Sequence, residues 1–194
     1  LVRGADGIIK VAYGKVTPQD RVGLKGYVDD LTMLPVRSYA RKEQLAFWIN
    51  LYNARTVLLI LDHYPVASIQ DINLSGGLFS TGPWGSNLMQ VEGRGISLND
   101  IEHRILRPGW NDARLHYALN CASLGCPDLQ SIAFTATNTE TLLDKAAREF
   151  INPPRAIRAT ENGFVLSKIY AWFSADFGGD KNLLAHLAFY AARP

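Results

Sequence analysis

Both cysteines of the chain lie in one stretch, Arg114-Leu115-His116-Tyr117-Ala118-Leu119-Asn120-Cys121-Ala122-Ser123-Leu124-Gly125-Cys126-Pro127, with one of its four histidines. A second histidine, His103, sits upstream on an expected helix. A cysteine beside histidines suggests covalent catalysis. A free thiol titrates near ~8.5 and becomes a nucleophile at neutral pH only when an imidazolium or helix N-terminus lowers that value. In this reading Cys121 is the nucleophile and His103 the general base, with Glu102 as a weak orienter. Asn120 and the amides after Cys121 would stabilise the developing charge. Alternation along a strand would turn His116 away from Cys121, which makes it the poorer partner.

Other chemistries fit the same residues. Cys121 and Cys126 are separated by four residues, close enough to bridge across a turn. They lack Cys-x-x-Cys redox spacing, so a bridge would be either a plain structural disulfide or a thiol-reactive pair with Cys126 resolving. A metal site from Glu102, His103, His116 and Cys121 lacks both helical histidine spacing and a cysteine knuckle, so none is expected. No cofactor signature is present. A non-catalytic module remains, binding a glutathione-like thiol, another small molecule or a peptide. Its substrate contacts would be Trp84, Asn50, Asn53, Arg94 and Cys126.

The elements that must position these residues can be read from periodicity and punctuation. Leu115, Tyr117 and Leu119 alternate with His116, Ala118 and Asn120, which predicts a short strand ending at Ala122-Ser123-Leu124-Gly125. Thr17-Pro18 opens a helix that Pro35 ends. A longer helix runs from about Ser38 to Asp62, and its centre, Leu45 to Ala54, is apolar nearly all round and so expected buried. Asn50 and Asn53 interrupt that centre on one face, where they would tie loop backbone to the helix or line a polar cleft. Ser75-Gly76-Gly77 and Thr81-Gly82-Pro83-Trp84-Gly85 read as a loop anchored by Trp84.

Hairpins are expected about Glu92-Gly93 and Glu161-Asn162-Gly163. Ser97 to Asp100 reads as a capping box opening the helix that carries His103, stopped by Pro108-Gly109. Further helices cover Thr139 to Phe150, Ser167 to about Phe173 and Asn182 to Ala191. His63 and His186 have solvated or packing roles.

The chain has 194 residues, 20 basic against 18 acidic, with 47% of residues apolar. That balance suits a globular protein and gives no positive case for nucleic acid. The most apolar window, Val57 to Leu61, is too short to span a bilayer. The expected fold is a helix-rich α+β single domain over 1–194, with a small, mainly antiparallel sheet packed on a buried central helix.

Three blocks carry a resemblance: Phe47-Trp48-Ile49-Asn50-Leu51-Tyr52-Asn53-Ala54; Ser97-Leu98-Asn99-Asp100-Ile101-Glu102-His103; and His116 to Ser123 with Cys126-Pro127. Leu166 to Phe173 and Asp176-Phe177 extend it. Together they resemble the family catalogued as domain of unknown function 547, over about Ser38 to Gly178. The resemblance implies membership without an activity. Export signals on many bacterial members imply a processed, periplasmic or secreted chain. The function expected from the residues is a cysteine-dependent hydrolase or acyl/thiol transferase acting on an amide, thioester or thiol. The partner is a small-molecule or peptide substrate, and the oligomeric state is left open.

Overall fold

The computed structural model describes residues 1–5, 7–74 and 82–192. Its first element is a two-stranded ribbon, β1 (Val2–Arg3) with β2 (Ile9–Lys10). Helix α1 (Pro18–Met33) begins at the expected cap, with Thr17 Oγ1 accepting the Asp20 N–H at 3.1 Å and Asp20 Oδ2 accepting the Thr17 N–H at 3.0 Å. Two glycines and many polar residues leave this helix largely exposed, and of its residues only Val28 is buried.

Helix α2 (Arg41–His63) is the centre of the fold. Its apolar run has no solvent face to offer, so Ile49 and Leu51 are fully enclosed and Tyr52 nearly so. A tight hairpin follows, β3 (Met89–Val91) with β4 (Arg94–Ile96), turning through Glu92 and Gly93 at positive φ. The expected loop residues Ser75-Gly76-Gly77 and Thr81 lie outside the described residues.

The Ser97–Asp100 box forms as read, with Ser97 Oγ accepting the Asp100 N–H and the Asp100 carboxylate accepting the Ser97 N–H, each at 3.0 Å. The helix it opens is a π-helical stretch over Asp100–Leu106, in which the Arg107 N–H reaches back five residues to the Glu102 carbonyl. Pro108-Gly109 does not stop it. The chain runs on into the short α3 (Arg107–Trp110), where Pro108 falls in the first turn and its missing N–H costs little.

The expected strand over 115–119 is instead a one-turn helix, α4 (Leu115–Ala118). Alternation was misleading because there is only one environment: Leu115, His116, Tyr117, Ala118 and Leu119 are all buried. Among the described residues no strand pairs with this segment. The N–H groups of Leu115, His116 and Tyr117 bond the carbonyls three residues back.

The remainder is α5 (Thr139–Ile151), the ribbon β5 (Ile157–Thr160) with β6 (Gly163–Leu166), α6 (Lys168–Trp172) and α7 (Gly179–Tyr190). The fold is helix-rich α+β, but the expected small sheet is, among the described residues, three separate two-stranded antiparallel ribbons. Of these, only β3 brings buried residues to the core, through Met89 and Val91. Two apolar clusters form. One surrounds α2, and the other joins Tyr117, Phe150, Tyr170 and Phe177. Helix α5 contributes to both, through Leu142 and Leu143 to the first and Ala146, Ala147 and Phe150 to the second. Among the described residues no helix is long and apolar enough to cross a membrane.

Candidate functional site

Cys121 is not a free thiol: its sulfur is bonded to Cys126. In this state it has no lone thiolate to offer, so the nucleophile reading requires the bridge to be opened first. Cys126 is buried and Cys121 partly exposed.

Asn120 holds the loop together rather than presenting an oxyanion donor. Its Nδ2 donates to the Pro127 carbonyl at 2.8 Å, and its Oδ1 accepts the Ala122 N–H at 2.9 Å. That second bond closes a turn over Cys121, and Ala122 at its end sits at φ 59°, a region a residue with a Cβ seldom occupies.

Asn53 and Asn50 are engaged in the same way. Asn53 Nδ2 donates to the Ala118 carbonyl and its Oδ1 accepts the Asn120 N–H, both at 2.8 Å. Asn50 Nδ2 donates to the Phe134 carbonyl and its Oδ1 accepts the Phe134 N–H. Both amides therefore brace loop backbone on α2, and neither is left to line a polar cleft. Trp84 is partly buried against the core, as an anchor would be. Its Nε1 is enclosed and, among the described residues, has no hydrogen-bond partner. Arg94 is exposed on β4.

The two histidines and Glu102 do come together, around residues that sequence reasoning missed. Asp176 accepts two bonds from Arg107, from Nε at 2.5 Å and from Nη2 at 2.9 Å. His116 Nε2 donates to Asp176 Oδ2 at 2.7 Å. Arg107 Nη1 lies 3.1 Å from His103 Nδ1, and because a guanidinium can only donate, that nitrogen is the acceptor. Glu102 Oε1 lies 4.0 Å from the same nitrogen, while its Oε2 accepts the Tyr52 O–H at 3.2 Å. Phe173 stacks on the His116 ring at 4.0 Å and carries the Arg107 guanidinium 4.8 Å above its face.

A π-helical turn is a common device for re-aiming side chains, and here Glu102 and His103 both lie on it. The His116 side chain is only 2% exposed, whereas His103 is 39% exposed. The signal for Asp176 was present in the sequence, since Asp176-Phe177 belonged to the resembling blocks. Nothing in local spacing tied it to a histidine sixty residues earlier.

The electrostatics of this cluster follow from burial and partners. Burial pushes the Glu102 carboxyl above its usual value, against the pull of His103, Tyr52 and Arg107. The hydrogen bonds from Arg107, and then from His116, hold Asp176 below the ordinary carboxylate range. Burial holds His116 below the ordinary histidine value of 6.5, against Asp176. The folded chain thus binds the His116 proton less readily than the unfolded chain does. Stability from this source is full above pH 6.5 and is lost as pH falls towards the lowered folded value. His186, also depressed by burial, adds the same sign. Glu102 has the opposite sign, penalising the fold as pH rises above 4.5. The urea midpoint is therefore expected to fall between pH 7 and pH 5.5, less steeply in His116→Gln. An unchanged slope in that variant would show that His116 is not the group responsible.

A groove of about 320 Å³ borders the bridged loop. Ile9 and Lys10 form one wall, Tyr64 and Val66 another, and Ala122 and Cys126 the wall made by the loop. Among the described residues no three histidine, cysteine, aspartate or glutamate side chains are grouped to hold a metal. The family model described as "Protein of unknown function, DUF547" matches residues 36–151. No curated protein and no solved structure matches the chain.

Proposed function

The chain belongs to the DUF547 family, and from that premise we propose that it is a binding module whose Cys121–Cys126 disulfide is structural. The groove beside that disulfide takes a small molecule, such as a glutathione-like thiol, or a short peptide. The observation that carries this reading is the bridge itself, whose residue Cys126 lines the groove while Asn120 and Asn53 are consumed in fixing the loop. The groove is mainly aliphatic, with polar groups supplied by Lys10, Ser68, Asn120, Ser123 and two tyrosines. The chain works in an oxidising compartment in this reading, as an exported bacterial protein, because such a bridge persists there.

A second reading keeps the cysteine-dependent enzyme, with reduction releasing Cys121 to act on an amide, thioester or thiol. Its general base would be His103, whose side chain is 39% exposed and whose Nδ1 accepts from Arg107.

Iodoacetamide labelling and thermal shift separate the two. A structural bridge predicts no labelling of the native protein without reductant. It also predicts stabilisation by glutathione or peptide that survives Cys121→Ser. Selective labelling of Cys121 below pH 7 at mild reductant, with loss of ligand effect in Cys121→Ser, would overturn the binding module in favour of the enzyme.

A further inference from the structure

We propose that the hollow between α1, α2 and β3 is a second ligand site, one that takes a carboxylate with an apolar tail. Its volume is about 550 Å³, within the roughly 300–1,000 Å³ of small-molecule sites, and it shares no lining residue with the groove at the bridged loop. Two helix faces supply its charges. Arg21 and Lys25 lie one turn apart on α1, and Arg55 and Asp62 lie two turns apart on α2.

The polar side of the hollow is short of negative charge. Lys25 is matched by Asp29, but Arg21 and Arg55 share the single carboxylate of Asp62. Arg21 Nη2 holds Asp62 Oδ1 at 2.7 Å, whereas Arg55 Nη1 stands 3.5 Å from Asp62 Oδ2, beyond ordinary hydrogen-bond length. That Arg55 nitrogen is enclosed and, among the described residues, has no hydrogen-bond partner. A buried donor left in that state is costly. An incoming carboxylate at Arg21 and Lys25, whose side chains are 51% and 64% exposed, would supply the missing charge and leave Asp62 free to close on Arg55.

The apolar side suits the rest of such a molecule. Val28, Leu58 and Met89 are buried and line the hollow, and Val22, which also lines it, is 71% exposed. An apolar tail laid across them removes that surface from water. An inorganic anion would meet the cations but leave the apolar lining wet, and an apolar amine would be repelled by the surplus cation.

The test is calorimetric titration of the full chain with octanoate, kept below its micellar concentration, beside acetate and octylamine. Octanoate is expected to bind roughly tenfold or more tightly than acetate, with no measurable binding of octylamine. Arg21→Gln, at an exposed position, should weaken octanoate by roughly tenfold or more. Asp62→Asn should tighten it severalfold, because the ligand no longer competes with a resident carboxylate for Arg21. A gain of affinity cannot come from misfolding. Octylamine binding as well as octanoate would reduce the effect to apolar adsorption and overturn the proposal. Octanoate that fails to bind, or whose affinity is unmoved by Arg21→Gln or not raised by Asp62→Asn, would overturn it too.

Discussion

Arg155→Met is expected to destabilise the fold by about 3–5 kcal/mol, the usual cost of stranding one member of a buried ion pair. The Arg155 and Asp128 side chains are 10% and 6% exposed, and their atoms meet at 2.8 Å. With Arg155 gone, the Asp128 carboxylate is left with the Ile9 N–H as its donor. The pair itself need not be strongly stabilising. Arg155 Nε and Nη2 are also buried and, among the described residues, have no hydrogen-bond partner, so the arginine already carries a desolvation cost that methionine would remove. The decisive comparison is the double variant Arg155→Met/Asp128→Asn. It removes both charges yet keeps an amide oxygen for Ile9, and it should recover most of the loss. Urea unfolding followed by tryptophan fluorescence reads all three chains. A single-variant cost under about 1 kcal/mol would mean that solvent reaches the pair and that the ribbon is not held through it.

The parts of this fold that were legible in the sequence are those whose signals are local. Thr17-Pro18, Ser97 with Asp100, and Glu92-Gly93 each specify their geometry within four residues, and each forms as read. The apolar centre of α2 needs only its own composition to demand enclosure. Leu115 to Leu119 failed for the complementary reason. Period two assumes two environments, and a segment buried on every side has one, so its backbone took the local bonds available rather than a ladder. Pro108 misled because a proline stops a helix interior but is tolerated in a first turn, and the boundary between the π-helical stretch and α3 provides one.

The site divides along the same line. That Cys121 and Cys126 were near enough to bridge was a matter of short spacing. That Glu102, His103 and His116 share a cluster depends on Arg107 and Asp176, which reach it from opposite ends of the described chain's second half. Such a cluster is set by how α6 and the turn after it fold back over the π-helical stretch, and no local period encodes that. A chain with Asp176→Asn would keep the shape of the partner yet lose the charge that Arg107 and His116 both bond. The cluster is thus a tertiary property carried by a residue outside the segment that the family model matches.

Asn53→Ala should cost roughly 2–4 kcal/mol, the sum of one buried and one partly buried backbone group left without partners at about 1–3 kcal/mol each, less some relaxation. Asn53 is 7% exposed, and its amide spans Ala118 and Asn120, the residues on either side of Leu119. At Leu119 the chain leaves α4 in an extended conformation, so neither the Ala118 carbonyl nor the Asn120 N–H has a helical partner to fall back on. Asn53→Asp discriminates between the two bonds. A carboxylate still accepts from Asn120 but faces the Ala118 carbonyl with no hydrogen to give, and its burial adds a charge penalty. It is therefore expected to be at least as damaging as alanine near pH 7 and milder at low pH, where a protonated acid can donate to Ala118. Equal stability of Asn53→Asp at both ends of that range would show that Ala118 does not depend on the amide. Because Asn53 sets the position from which Asn120 and the Cys121–Cys126 bridge depart, the same variants should also raise tryptic cleavage of the N-terminal ribbon, through loss of the loop that Asp128 belongs to.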